Sequence, residues 1–152
     1  MLGVGLGGFI DGIVLHQILQ WHHMISDTER GDMTTVLGLE RNTLADGVFH
    51  AFAFVVVLVA LWLAIRTKRA DPRALLPDWG VIIGWLLIGW GAFNLVEGLV
   101  DHHLLQVHHV RDDVADPLPW DLGFLAISAG LVVAGLAMTR PRPSERAGRR
   151  LG

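Results

Sequence analysis

Cysteine and tyrosine are both absent from this 152-residue chain. Without thiols there is no structural disulfide, thiolate zinc site, iron–sulfur cluster or cysteine nucleophile, so a bound metal must have nitrogen and oxygen donors. Charge is sparse as well. Asp, Glu, Lys and Arg make up 18% of the residues, against about 25% in soluble domains. A net charge of -3, with the basic residues gathered in two places, excludes nucleic acid as a partner. Apolar residues fill the chain instead: 52% of it is hydrophobic and the mean hydropathy is +0.47. A chain of this length has room for one compact unit, and its composition makes the lipid bilayer the first expected partner.

Four apolar windows, about 2–23, 46–66, 80–105 and 121–139, approach the roughly 20 residues that a helix needs to cross the hydrocarbon. They predict an all-α, four-helix transmembrane bundle over residues 1–139, built from two tandem helix pairs. The first window lacks a basic leader and holds Asp11 and His16, which reads as a retained span and not a signal peptide. Arg66, Lys68, Arg69 and Arg73 lie between the second and third windows, and Arg140, Arg142, Arg146, Arg149 and Arg150 follow the fourth. The other two loops are acidic, so the positive-inside rule puts both termini in the cytoplasm of a multi-pass protein. Residues 140–152 are expected to be a disordered cytoplasmic tail.

All eight histidines fall in or beside the apolar windows. Residues 11–23 read DGIVLHQILQWHH and residues 97–109 read EGLVDHHLLQVHH. The two align without a gap, pairing Asp11 with Glu97, His16 with His102, Gln20 with Gln106, and His22-His23 with His108-His109, which reads as an internal duplication. With one helix between them, the two copies run parallel and lie at similar depth. At 100° per residue, His16 and His23 share a helix face with Gln20 between them, and His102, Gln106 and His109 repeat the pattern. Asn94, Glu97, Asp101 and His108 form a second stripe, and Asn42, Asp46 and His50 follow at intervals of four on the second window.

Ionisable groups inside a bilayer are costly, about 2.5–3.5 kcal/mol each at the centre on insertion scales, so they imply pairing or a bound ion. The candidate metal ligands are His16, His22, His23, His50, His102, His108, His109, Asp11, Asp46 and Glu97. Gln20, Gln106, Asp101, His103, Asn42, Asn94 and Asp121 are expected to support them by hydrogen bonds. Each group also has a plainer reading. His50 suits a hydrogen-bonded bundle residue, the histidine doublets suit helix ends at the interface, and the glycines suit close helix packing. Trp21, Trp79 and Trp120 fall at span ends as belt residues do.

In the motifs DGIVLHQILQWHHM and FNLVEGLVDHHLLQVHHVR the chain resembles a family of bacterial four-helix membrane proteins classed as a domain of unknown function, from Gly7 to about Gly135. The resemblance implies the four-helix membrane fold and a bacterial inner-membrane location, and it brings no activity with it. From the residues themselves, a membrane metal-binding protein is expected, with a one- or two-ion site near the non-cytoplasmic face. Mixed imidazole and carboxylate donors favour iron or zinc, with copper compatible. An enzyme of this kind would be a metal-dependent membrane oxidoreductase or hydrolase. Two other classes fit less of the pattern. One is a b-type haem electron-transfer protein with His16 and His102, or His23 and His109, as axial ligands. The other is metal or proton transport or respiratory oxidase assembly, with a respiratory or redox membrane partner.

Overall fold

The computed structural model describes residues 1–71 and 78–140. Among these the order is α1 (Leu2–Asp11), α2 (Val36–Ala70), α3 (Trp79–Glu97) and α4 (Leu118–Thr139), with no strand. Two helices do not stop where their α-helical part ends. α1 continues as a π-helical segment over Gly12–Ile18, and α3 does the same over Gly98–Leu104. Arg73 and the predicted tail beyond Arg140 lie outside the described residues.

Helix α2, helix α3 with its π segment, and helix α4 are long and apolar enough to cross a membrane, while the apolar stretch Leu2–Ile18 falls short of that length. The expected first span of 2–23 is therefore shortened, because the helix ends at Ile18 and Gln20 turns the chain aside with φ 49. The third is cut in the same way at Leu104, with Gln106 at φ 50. Left-handed backbone at a helix end usually falls to Gly, and these glutamines are exposed to solvent. Helix α2 begins earlier than the apolar window because the Thr35 hydroxyl caps it, accepting the Gly38 N–H at 3.0 Å.

The packing inverts the soluble pattern. The side chains most completely buried are His16, His102, His108, Asn42, Asp46, Asp121 and Ser128, whereas Val55, Trp62, Ile127 and Val133 face outward. In lipid there is no drive to hide apolar groups from the surroundings, so small residues that let backbones approach hold the helices together. α1 packs on α2 and α3, and α3 packs on α4; among the described residues the backbones of α1 and α4, and those of α2 and α3, stay apart, with Phe49 and Phe93 stacking across the second gap at 6.0 Å. A Cβ on Gly3 would lie 2.3 Å from the Leu86 carbonyl oxygen, and one on Gly91 would lie 2.5 Å from that of Ser128. The glycines are contact surfaces between helices.

Accordingly, Gly91→Leu should lose about 1–3 kcal/mol of stability through overpacking at the α3–α4 contact. Gly130→Ala, where an added Cβ meets nothing, should be neutral or stabilising by up to about 1 kcal/mol. Thermal melts of both variants in one detergent would check the contrast.

Candidate metal centre

The π-helical segments decide which motif residues meet. In an α-helix, residues five apart point about 140° from each other, but the wider turn of π-helical i→i+5 bonding brings them toward one side. The Leu19 N–H reaches the Val14 carbonyl at 2.8 Å and the Leu105 N–H reaches that of Val100 at 2.7 Å. This brings the carboxylate of Asp11 to 3.3 Å from His16 Nε2, and that of Glu97 to 2.9 Å from His102 Nε2. The chain then turns at Gln20 and Gln106 and folds His22 and His108 back under the same helices. Asp11, His16 and His22 form one group, all buried, and Glu97, His102 and His108 form another; in each, the ligand atoms lie within 4.8 Å of one another. Either group could hold a metal ion.

The two groups adjoin. The His22 and His108 rings stack with centroids 4.6 Å apart and planes 6° from parallel. Crosswise, His16 lies 6.0 Å from His108 and His22 lies 6.1 Å from His102. Contacts made by the first motif recur at the corresponding positions of the second. His22 Nδ1–H donates to the Val110 carbonyl at 2.9 Å, and His108 Nδ1–H donates to the Met24 carbonyl at 3.2 Å. Asp46 receives His16 Nδ1 at 2.9 Å, His23 Nδ1 at 2.6 Å and the Met24 N–H at 3.0 Å. Asp121 faces His102 Nδ1 at 3.4 Å and receives His109 Nδ1 at 2.7 Å and the Val110 N–H at 2.9 Å. Phe49, one turn after Asp46, stacks on His16, and Phe124, one turn after Asp121, lies against His102.

The tautomers follow from these partners. A backbone carbonyl only accepts, so Nδ1 of His22 and His108 must carry the proton, and in the neutral rings Nε2 presents a lone pair. Burial, together with the neighbouring His108 and His16, holds the His22 imidazole well below its ordinary range and therefore neutral. Yet the Nε2 atoms of His16, His22 and His102 are buried without a hydrogen-bond partner, and His108 Nε2 stands 3.0 Å from Glu97 Oε1. Ring nitrogens and carboxylate oxygens thus face one another inside the bundle, an arrangement that a shared proton or a bound cation would satisfy.

Several expected site residues are placed differently. His23 and His109 were expected on the faces of His16 and His102, but the helices have ended before them. They sit partly exposed against Asp46 and Asp121 instead. Asp46 is turned to the Nδ1 side of His16, with both oxygens occupied, so it orients the imidazole as Asp121 does. His50 donates Nδ1–H to the Asp46 carbonyl at 2.7 Å and joins neither group; Gly12 leaves room for its ring, since a Cβ there would lie 2.7 Å from His50 Nε2. Asn42 pins the loop between α1 and α2 through the Gly31 carbonyl at 2.8 Å and the Ile25 N–H at 3.2 Å. Gln20 and Gln106 face away from the groups. Asp101 and His103 are half-buried beside them, and Asn94 is buried with its carbonyl oxygen unpartnered.

Sequence reasoning missed Gln17, which donates to Asp46 at 3.2 Å, and the Ser26 hydroxyl, which donates to Asp112 across the two loops. It also missed the two phenylalanines, although the spacing D-x-x-F occurs at both Asp46 and Asp121.

Because Asp46 and Asp121 hold equivalent donors, Asp46→Ala and Asp121→Ala should destabilise the protein to similar extents. Each buried donor left unsatisfied costs about 1–3 kcal/mol. Denaturation of the two variants in detergent would measure it, and a near-neutral result for either would contradict the assigned contacts.

No curated protein and no solved structure gives a significant match to the chain. A family model described as a predicted membrane protein (DUF2243) matches residues 1–142, and the chain belongs to that family.

Proposed function

We propose that this membrane protein carries a dinuclear metal centre, with one ion on Asp11, His16 and His22 and the other on Glu97, His102 and His108. The observation that carries the reading is the orientation of the imidazoles. Nδ1 of each is turned to a carbonyl or carboxylate, and Nε2 is turned toward the buried carboxyl group of its own motif. Partners of this kind on the far nitrogen are the usual means of fixing a ligating histidine. Two imidazoles and one carboxylate per ion leave coordination positions open, as in non-haem iron and catalytic zinc sites. The absence of cysteine and the scarcity of methionine make Cu(I) handling a poorer fit. An ion with open positions would polarise bound water or oxygen, so a metal-dependent oxidoreductase or hydrolase is the class to test.

The correspondence between the two groups supports reading the chain as two tandem helix-pair repeats about an axis along the membrane normal. Acidic loops on the motif side and basic residues on the other support a centre near the non-cytoplasmic face, with cytoplasmic termini in a bacterial inner membrane. Bis-histidine haem is less well supported, since it leaves Asp11 and Glu97 without a role. Transport is less well supported because the donors gather at one level of the bundle.

Elemental analysis of detergent-purified protein should find iron or zinc at about two ions per chain, with no Soret band. Combining His16→Ala with His102→Ala should release the metal, whereas His50→Ala and His103→Ala should retain it. Full retention in the double variant, or a haem spectrum, would overturn the proposal.

A further inference from the structure

A cavity of about 500 Å³ opens between α1 and α4, whose backbones do not approach each other. Its walls are apolar and aromatic: Ile10 and Val14 on α1 and its π segment, Trp90 on α3, and Trp120, Phe124 and Ile127 on α4. It extends along α4 from Trp120 to Leu131, a rise of about 16 Å, which suits an elongated guest lying along the helices. Apart from the tryptophan indoles, two polar side chains line it. One is Asp11, at the edge of the metal centre, and the other is Asn94, 6% exposed, whose Oδ1 has no hydrogen-bond partner. Both present acceptor oxygens, and that of Asn94 is buried with no donor on it.

Access from water is restricted. Trp21 and Trp120 meet edge to face at 5.3 Å, and the Arg111 guanidinium covers both rings at 5.0 and 4.6 Å. The remaining approach is sideways, between α1 and α4, from the lipid. The corresponding gap between α2 and α3 holds only about 200 Å³, because Phe52 and Phe93 occupy it. The two sides of the bundle therefore differ where the metal groups correspond.

We propose that this cavity binds a lipid-soluble hydroquinone, a planar ring bearing hydroxyl donors on an apolar tail, with a hydroxyl on Asn94 Oδ1 and the ring among Trp90, Trp120 and Phe124. The volume falls within the usual range for small-molecule sites, about 300–1,000 Å³. An unsatisfied buried acceptor selects for a donor, and aromatic walls select for a flat ring. The inference deepens the metal-centre reading and rests on it only in making the guest a neighbour of the ion held by Asp11.

The test is equilibrium binding of decylhydroquinone to the full chain in detergent, followed by tryptophan fluorescence, with elemental analysis on the same samples. Saturable quenching is expected, weakened about tenfold by Asn94→Leu. Gly123→Leu should weaken it at least as much; Gly123 lines the cavity and has open space where a side chain would begin. Decylhydroquinone dimethyl ether, which has no donor, should bind at least about tenfold more weakly, as should decanol, which has no ring. Undiminished binding in Gly123→Leu would overturn the cavity assignment. Equal binding of the ether or of decanol would overturn the hydroquinone and leave a general lipid site. Metal without binding would sink this inference alone, and binding without metal would sink the metal-centre reading alone.

Discussion

Imidazole nitrogens and carboxylate oxygens buried against one another are the constraint around which this molecule is arranged. In water such contacts would be hydrated and of little consequence. Inside a helical bundle surrounded by lipid, each unsatisfied polar atom costs several kcal/mol, so the groups must satisfy one another or share a bound partner. The bundle gives up its most buried positions to these groups and leaves its apolar side chains on the outside.

The surroundings of the site serve the same constraint. Asp46 and Asp121 each gather two imidazoles and a backbone N–H, so one carboxylate fixes both the ring and the loop that follows the helix. The loops in turn cross over. His22 is held by the Val110 carbonyl of the second loop, and His108 by the Met24 carbonyl of the first. Neither group is thus completed by its own half of the chain. Glycine contacts between α1 and α3 and between α3 and α4 bring the helices close enough for this exchange, and the gaps left beside α1 and α3 give the interior its lateral openings to lipid.

Much of this architecture was legible along the chain. Apolar windows announced the membrane and the helices, because hydropathy over some twenty residues is a local property. The paired motifs marked Asp11 with Glu97, His16 with His102 and the two histidine doublets as matching positions, without separating the donors into two groups. The acidic residues opening the second and fourth windows also signalled involvement, but their role was read unequally: Asp46 as a ligand and Asp121 as support, though the structure gives them the same task.

What the amino-acid sequence determined by itself was the medium, the helical class and the supply of nitrogen and oxygen donors, since each depends on residue type and short-range order. The tertiary structure alone decided which donors converge. A regular α-helix would carry His23 and His109 toward the centre and turn Asp11 and Glu97 away from His16 and His102. The widened π segments and the left-handed turns at Gln20 and Gln106 reverse that choice. Their geometry is selected by hydrogen bonds to the other half of the chain, and no periodicity within one helix encodes it.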